Sequence, residues 1–245
     1  MAFQMKNKIT LVFLHGAGTG AWVWERVMKE LSTPAVALDI SGRIEGATPD
    51  SCADALVAEL DRKSVDSVIL VLHSLAGVLA PGLAARLGSR LKHIVYVAAV
   101  IPPSGGSFVD ALGFANRVIL RILFRFNPKG LKPSPAMIRQ ELCNDLDPQD
   151  AEQVISRYAA EMPGLYLKPA GTLSSLPSTT YVRLLKDQSV APSQQEAMIA
   201  RLDGPRVRQM DTGHLVMLSS PAALAKILEE EVQSAQPSTS PDAPR

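Results

Sequence analysis

The sequence predicts an α/β protein with a doubly wound, mainly parallel six-stranded sheet and a helical lid inserted into it. Short, continuously apolar runs alternate with amphipathic helical patterns, which is typical of parallel strands covered on both faces. Strand signals stop after residue 101 and return only near residue 179, which indicates a helical insertion. The chain has 245 residues, of which 47% are apolar, so it can bury a large core without disulfides or a structural metal.

Six strands and five helices make up the predicted core. The strands are Ile9–Leu14, Ala35–Asp39, Val68–Leu72, His93–Ala98, Thr179–Leu185 and Val207–Met210. The helices are Trp22–Leu31, Ser51–Arg62, Leu75–Leu87, Pro192–Leu202 and Ala222–Val232. Asp50 or Ser51 is expected to cap the second helix, and Pro221 suits the first turn of the last helix.

The same pattern divides the chain into a core, a lid and a tail. Residues 1–101 and 171–234 form the predicted core, and residues 102–170 form the predicted lid. The lid helices are expected over Val109–Phe126, Ser134–Leu142 and Asp147–Met162. Residues 235–245 contain three prolines and almost no apolar bulk, so they are expected to be a disordered tail.

The first half of the predicted lid is unusually basic. Residues 111–139 carry six basic side chains and no acidic one. Arg117, Arg121 and Arg125 are spaced four apart and form one stripe on a helix whose other face is apolar. Two interpretations stay open: a solvated lid surface, or a surface that attracts an anionic substrate or a membrane.

Composition and charge argue against several functions. A net charge of +1 lacks the basic excess expected of a nucleic-acid binder. The two cysteines form no CxxC pair and the four histidines are scattered, so neither a metal nor a cofactor is expected. The uncharged stretch Val68–Ala85 contains His73, Gly77 and Pro81, which favours a strand, turn and helix over a membrane span. Without an export signal we expect a cytoplasmic protein, and a homodimer stays an open alternative.

The strongest functional signal lies between Leu70 and Gly77, where a strand runs directly into a serine and a helix follows. Such a turn exposes the hydroxyl of Ser74 above the sheet edge, as a nucleophile elbow does. It also directs the Leu75 amide and the helix N-terminus toward the space where an oxyanion forms. The alternative is a serine that only caps a helix, but this context favours a nucleophile.

A glycine-rich loop follows the first strand. Gly16, Gly18 and Gly20 let the backbone turn sharply and approach a ligand closely. A phosphate-binding loop is disfavoured, because neither GK[ST] nor GxGxxG is present. The Ala17 amide is therefore the expected second oxyanion donor, opposite Leu75.

A serine nucleophile needs a base, and the base needs a carboxylate that orients it. His214 lies on a loop beyond the last strand, at the sheet edge where such folds bind ligands. Asp187 follows the fifth strand at the same edge and completes the chain order serine, acid, histidine. Asp211 is nearer to His214 in sequence but need not face its ring, so Asp187 is preferred. The histidines expected to be structural are His15, His73 and His93.

Together these motifs resemble the α/β-hydrolase superfamily, especially its small branch of plant methylesterases, hydroxynitrile lyases and bacterial esterase-like hydrolases. The matching segments are HGAGTGAWVW, HSLAG, KDQSVAP and GHLVML, and the resemblance extends from about Ile9 to Val232. The resemblance implies a nucleophile, a base, an acid and two oxyanion amides at Ser74, His214, Asp187, Ala17 and Leu75.

Two departures from the superfamily's elbow pattern, and differences from two of its member families, bear on the chemistry. Leu72 and Ala76 stand where the elbow usually has glycines, and the bulk of Leu72 is expected to adjust the elbow and weaken or specialise activity. Hydroxynitrile lyases of this branch use a threonine and a lysine at positions that are here Gly16 and Leu215, so lyase chemistry is disfavoured. Haloalkane dehalogenases use an aspartate nucleophile, which Ser74 replaces here.

The leading hypothesis is a carboxylic ester hydrolase that acts on small-to-medium apolar esters through an acyl-enzyme. One alternative is a small-ligand receptor, motivated by Leu72, and another is cofactor-free lyase or oxygenase chemistry on the same triad. Four phenylalanines of the insertion either line a substrate pocket or form the core of the lid: Phe108, Phe114, Phe124 and Phe126.

Overall fold

A computed structural model describes residues 8–172 and 176–236. Its sheet consists of β1 (Thr10–Leu14), β2 (Ala35–Leu38), β3 (Val68–His73), β4 (Leu91–Val97), β5 (Thr179–Leu184) and β6 (Arg206–Met210). The strand order is β2-β1-β3-β4-β5-β6, and every neighbouring pair is parallel. The predicted doubly wound sheet and its six strands are confirmed, and strand ends differ from the prediction by at most two residues.

Helices cover both faces of the sheet and form the segment between β4 and β5. The α-helices are α1 (Glu25–Lys29), α2 (Pro49–Arg62), α3 (Ala80–Leu87), α4 (Phe114–Phe126), α5 (Pro135–Met137), α6 (Pro148–Arg157), α7 (Gly164–Leu167), α8 (Pro192–Ile199), α9 (Val216–Ser219) and α10 (Pro221–Ala235). Shorter 3-10 segments are Ala21–Trp24, Ser41–Arg43, Ser74–Leu79, Gly88–Arg90 and Phe108–Ala111, and a π-helical turn spans Ile138–Leu142. None of the helices in these described ranges combines the length and apolar character needed to cross a membrane.

The central strand β3 explains why the apolar runs show no alternation. Leu70 and Leu72 belong to the core layer that includes residues of α2, α3 and α8. Ile69 and Val71 belong to the opposite layer, which includes residues of α1, α6 and α10. Both faces of the strand are therefore buried, and both require apolar side chains.

The start of α2 differs from the prediction. Thr48 is the N-cap, whereas Asp50 and Ser51 were the expected caps. The Thr48 hydroxyl accepts a hydrogen bond from the Ser51 amide at 3.1 Å, and the Ser51 hydroxyl accepts one from the Thr48 amide at 2.9 Å. This reciprocal capping box and Pro49 in the first turn start the helix two residues earlier than predicted. Pro221 opens α10, as expected.

Residues 102–170, called the lid segment below, contain no strand of the sheet. The predicted helix Val109–Phe126 is interrupted, because α4 begins only at Phe114. The predicted helix Asp147–Met162 is wrong beyond Arg157, where α6 ends. Residues after that point bond elsewhere, since Ala159 donates its amide to the Gly18 carbonyl at 2.9 Å. The division into core and lid stays a prediction, and residues 237–245 of the predicted tail lie outside the described residues.

Candidate active site

The carboxyl end of β3 leads directly into the turn that holds Ser74. The φ angle of Ser74 is 51°, a left-handed conformation that costs a non-glycine residue on the order of 1–3 kcal/mol. The Val100 amide donates to the Ser74 carbonyl at 2.9 Å and holds the turn in place. A 3-10 segment begins at Ser74, whereas an α-helix was predicted from Leu75, and α3 follows only at Ala80. The turn therefore has the strand-turn-helix shape of a nucleophile elbow.

Gly77, three residues after Ser74, lies too close to the backbone of Val100 to carry a side chain. A Cβ atom at Gly77 would lie 2.3 Å from the carbonyl oxygen of Val100. Leu72, which was expected to disturb the elbow, is fully buried in the core and does not line the cavity in front of Ser74. The core thus accommodates the bulk of Leu72 and leaves the accessible side of the serine free.

The loops after β5 and β6 bring Asp187 and His214 together. Nδ1 of His214 lies 2.8 Å from Oδ2 of Asp187, and both side chains are buried. The other carboxylate oxygen, Oδ1, accepts hydrogen bonds from the amides of Ser189 and Val190, each at 2.8 Å. Because a carboxylate oxygen accepts hydrogen bonds, Nδ1 of His214 is the donor in this contact, and Nε2 is the ring nitrogen left for another partner.

Asp211, the rejected candidate, points into solvent. Its side chain is 71% exposed and forms an ion pair with Nζ of Lys186 at 2.7 Å. Asp187 is instead enclosed, with Nε2 of Gln195 at 3.5 Å from its Oδ2. The structure therefore brings Asp187, and not Asp211, to the ring of His214.

The glycine-rich loop passes close to the serine. A Cβ atom at Gly16 would lie 2.8 Å from Nδ1 of His73 and 2.9 Å from Cβ of Ser74, so only glycine permits this approach. Ala17 and Leu75, the two expected oxyanion donors, line the same cavity as Ser74. Leu75 lies in the first turn of its helical segment, where an amide has no intrahelical partner.

Two other histidines support these loops as neutral rings. Burial, reinforced by the neighbouring His214, holds the pKa of His73 well below its usual range. Nε2 of His73 therefore donates to the His214 carbonyl, 3.0 Å away. Burial also lowers the pKa of His15 to about 4. Nδ1 of His15 donates to the Gly16 carbonyl at 2.8 Å, and its Nε2 accepts from the Ile40 amide at 3.1 Å.

Ser74, Leu75, Ala17 and His214 open on one cavity of about 370 Å³. Half of its lining residues are apolar or aromatic side chains of the lid segment: Phe108, Leu112, Ile119, Leu120, Leu123, Pro133, Met137, Ile138, Leu142, Tyr158 and Tyr166. Besides Ser74 and His214, polar side chains around it include those of Asn116, Glu141, Ser189 and Gln194. No lysine or arginine belongs to this lining among the described residues.

The four phenylalanines of the insertion divide between cavity, core and solvent. Phe108 lines the cavity. Phe124 is buried, with its ring centroid 4.9 Å from that of Tyr166. Phe114 and Phe126 are 75% and 77% exposed. Only Phe108 of the four therefore faces the cavity.

Comparison with known proteins identifies the family. Residues 11–227 match the alpha/beta hydrolase family. This chain is an alpha/beta hydrolase family member. Methylesterase 18 of Arabidopsis thaliana is 24% identical over 257 aligned positions, which cover 92% of this chain and 98% of the relative. Probable hydrolase R7 of Phoma sp. (strain ATCC 20986 / MF5453) is 25% identical over 83% of this chain and 88% of its own length.

A solved structure agrees with the fold of this alpha/beta hydrolase. It is an extracellular alpha/beta-hydrolase from a Paenibacillus species, with a TM-score of 0.83 and 17% identity. The match covers 91% of this chain and 98% of that one. At this identity the likeness shows the fold alone, and the resemblance to the α/β-hydrolase superfamily seen in the sequence is confirmed.

Sequence reasoning missed two carboxylates by which the lid segment holds the loops of this hydrolase. Oε1 of Glu161 accepts from the Gly18 amide at 2.7 Å and from Nε of Arg43 at 2.8 Å. Burial raises the pKa of Glu161, and the Arg43 guanidinium opposes that rise. Oδ2 of Asp145 accepts from the Gly213 amide at 2.5 Å, in the loop that carries the histidine. The two carboxylates lie 143 and 68 residues from these amides, so no local signal reveals either contact.

In residues 8–172 and 176–236, no three His, Cys, Asp or Glu side chains are grouped so that they could hold a metal ion. Cys52 and Cys143 are buried and free. Burial raises the pKa of the Cys143 thiol to about 11, which keeps it protonated and unreactive near neutral pH. Among the described residues that line the cavity, Ser74 and His214 are the candidates for a nucleophile and its base.

Proposed function

We propose that this alpha/beta hydrolase is a carboxylic ester hydrolase that works through an acyl-enzyme on Ser74. The observation that carries the proposal is the buried Asp187–His214 pair, 2.8 Å apart, at the cavity that Ser74 also lines. The similarity to Methylesterase 18, whose name denotes ester cleavage, supports the same reaction class.

In the proposed mechanism, Nε2 of His214 takes the hydroxyl proton of Ser74 while Oγ attacks the ester carbonyl carbon. Asp187 keeps Nδ1 protonated and stabilises the imidazolium that forms. The amides of Ala17 and Leu75 donate to the oxyanion, and losing one such donor costs about 3 kcal/mol of transition-state stabilisation.

The two halves of the reaction use the same base. His214 first passes its new proton to the departing alkoxide, which leaves as the alcohol and yields acyl-Ser74. A water molecule then attacks the acyl carbon and gives a proton to His214. Collapse of the second tetrahedral intermediate releases the carboxylic acid, and His214 returns that proton to the Ser74 oxygen.

The cavity supports a neutral, apolar ester of small-to-medium size. Its volume of about 370 Å³ lies at the small end of ligand pockets, which span roughly 300–1,000 Å³. No lysine or arginine among the described lining residues offers a partner for an anionic group, and Glu141 adds negative charge. A negatively charged ester is therefore expected to react more slowly than a neutral ester of equal length.

Lyase and receptor functions receive less support. Leu215, at the position where lyases of this branch use a lysine, is buried in the apolar core. A side chain at Gly16 would have its Cβ 2.8 Å from His73, so the loop leaves no room for a substrate-binding threonine. Leu72, which motivated the receptor hypothesis, packs away from the cavity.

Steady-state hydrolysis of p-nitrophenyl acetate, butyrate and octanoate tests the proposal. We expect Ser74→Ala to lower kcat/KM by at least about a thousandfold, because the covalent step disappears. Ser156→Ala, which removes an exposed hydroxyl that donates to the Gln153 carbonyl, controls for serine replacement and should keep wild-type rates.

Three results would argue against ester hydrolysis at Ser74. Hydrolysis by Ser74→Ala at the wild-type rate would exclude the acyl-enzyme. Saturable binding of a small apolar ligand without ester turnover would favour a receptor. Cleavage of a cyanohydrin without ester turnover would favour the lyase.

A further inference from the structure

The solvent side of α4 carries an apolar surface that ester hydrolysis does not use. Its members, called the outer face, are each more than a third exposed: Phe114, Val118, Ile119, Ile122, Leu123 and Phe126. With Met137, they account for seven of the ten large apolar side chains this exposed among the described residues. Scattered exposed apolar residues are ordinary, but such a cluster marks an interaction surface.

The outer face is not the side by which α4 packs on the core. Phe124, on the opposite side of α4, is buried against Tyr166, and Leu120 packs on the core as well. The helix is thus anchored by one side while the other side stays in solvent. Ile119 and Leu123 belong to the outer face and also line the catalytic cavity, so this surface is continuous with the cavity mouth.

Unpaired positive charge accompanies the outer face. Arg117 and Arg121 both approach Asp110, at 3.7 and 3.0 Å. In the described ranges, Arg125, Lys129 and Lys132 form no ion pair. Residues 111–139 contain six basic side chains and no acidic one, although the whole chain has a net charge of only +1.

We propose that the outer face of α4 docks on an anionic lipid surface. An interfacial helix of this kind places its apolar side chains at the boundary between headgroups and acyl chains, and its cations among the headgroups. A second copy of this chain fits less well, because two outer faces would bring two sets of unpaired Arg125, Lys129 and Lys132 together. Docking would place the cavity mouth against the lipid, where apolar esters concentrate.

Flotation with large unilamellar vesicles tests this proposal on the whole 245-residue chain. We compare phosphatidylcholine vesicles containing 30 mol% phosphatidylserine with vesicles of pure phosphatidylcholine. Binding to the anionic vesicles is expected to be at least about tenfold tighter and to weaken as salt is added. This readout is independent of catalysis, so it holds whether or not the ester-hydrolase proposal is right.

Two double variants separate charge from apolar contact. Arg125→Gln/Lys129→Gln should weaken binding to anionic vesicles about 30-fold, from roughly a fivefold loss for each basic residue. Ile122→Ser/Phe126→Ser should weaken it by at least about tenfold, because its buried apolar area is lost. None of the four positions lines the cavity, so hydrolysis of a water-soluble ester should stay within about twofold of wild type.

Matched controls carry the same changes elsewhere on the molecule. Lys29→Gln/Lys226→Gln removes two exposed cations from α1 and α10, and Ile44→Ser/Val207→Ser removes two exposed apolar side chains. Both controls should bind vesicles as wild type does. Thermal unfolding followed by circular dichroism verifies that every variant is folded.

Three results would overturn the proposal: no binding to anionic vesicles, equal binding to neutral ones, or outer-face variants that bind as wild type does. Sedimentation velocity tests the alternative that a second copy of this chain covers the outer face. A wild-type dimer that Ile122→Ser/Phe126→Ser converts to a monomer, without vesicle binding by wild type, would assign the outer face to a second copy.

Discussion

The two halves of the lid segment differ in whether their charged and apolar side chains face solvent or contact the rest of the protein. In the first half, residues 108–131, Arg125 and Lys129 are exposed and much of the apolar side of α4 faces solvent. In the second half, residues 143–161, Asp145 and Glu161 direct their carboxylates at backbone amides of the loops that carry His214 and Ala17. The second half therefore contacts the loops of the candidate site, whereas much of the first half is exposed and available to a partner.

This contrast separates residues that shape the site from residues that face a partner. A carboxylate that bonds to a loop amide fixes the loop geometry, so its loss should reduce catalysis. An exposed side chain of α4 contributes little to folding, so its loss should affect association only.

Two phenylalanines on the same helix should differ most in their contribution to stability. Phe124→Ala should lower the free energy of unfolding by about 3–5 kcal/mol, because it removes a fully buried ring. Phe126→Ala should change it by less than about 0.5 kcal/mol, since that ring is 77% exposed. Urea denaturation at pH 7 measures both, and similar losses for the two variants would show that α4 packs differently.

Removal of the Glu161 charge should slow catalysis. Glu161→Gln leaves Arg43 without its anion and weakens the bond to the Gly18 amide, next to the proposed oxyanion donor Ala17. We expect kcat to fall roughly 10- to 100-fold with KM within threefold, because a misplaced oxyanion donor acts on the transition state. Glu152→Gln replaces an exposed carboxylate of α6 and serves as the control. An equal loss in both variants, or a change in KM alone, would contradict a positioning role for Glu161.

Stability should fall in mild acid because buried histidines resist protonation. Burial lowers the pKa of His15 and of His93 to about 4, against 6.5 in the unfolded chain. Between these values the unfolded state binds more protons, so each histidine reduces stability by up to about 1.4 kcal/mol per pH unit as the pH falls from 6.5 to 4. Urea denaturation at several pH values measures the slope.

Two variants test whether the slope of stability against pH comes from a buried histidine. His15→Gln should reduce the slope of stability against pH by up to about 1.4 kcal/mol per pH unit, the contribution of one proton, since glutamine does not titrate. Arg125→Gln, in the first half of the lid segment, should leave it unchanged, because arginine keeps its charge throughout this range. An unchanged slope in His15→Gln would mean that His15 is protonated in the folded protein at mildly acidic pH.

The smallest effect is expected for the surface ion pair of the first half. Arg121 lies 3.0 Å from Asp110, but its side chain is 50% exposed. Arg121→Gln should therefore change the free energy of unfolding by less than about 1 kcal/mol. A loss of several kcal/mol in urea denaturation would instead make this pair a structural anchor comparable with Glu161.

The catalytic candidates could be predicted because the sheet alone brings them together. Ser74, Asp187 and His214 each follow a parallel strand, and the carboxyl ends of parallel strands share one edge. Each position therefore follows from a local strand pattern. The contact between Asp187 and His214 can be predicted from this edge alone, since both residues lie on short loops after neighbouring strands.

The loop anchors and the environment of the lid segment could not be predicted in this way. Glu161 and Arg43 are 118 residues apart, and their contact depends on how the whole lid segment packs. The helical spacing of α4 predicts that one side is apolar, but spacing does not tell whether that side is covered. The prediction of Asp50 or Ser51 as the cap of α2 was also wrong, because Thr48 and Ser51 cap each other once Pro49 starts the helix.

Labelling with a fluorophosphonate tests the proposed activation of Ser74 most directly, since the reagent reacts with a serine whose hydroxyl proton a neighbouring base takes as the oxygen attacks. Intact mass spectrometry should find one adduct on wild type and on Ser156→Ala, and none on Ser74→Ala. An adduct of the same mass on Ser74→Ala, or no adduct on the folded wild-type protein, would contradict a nucleophile at Ser74.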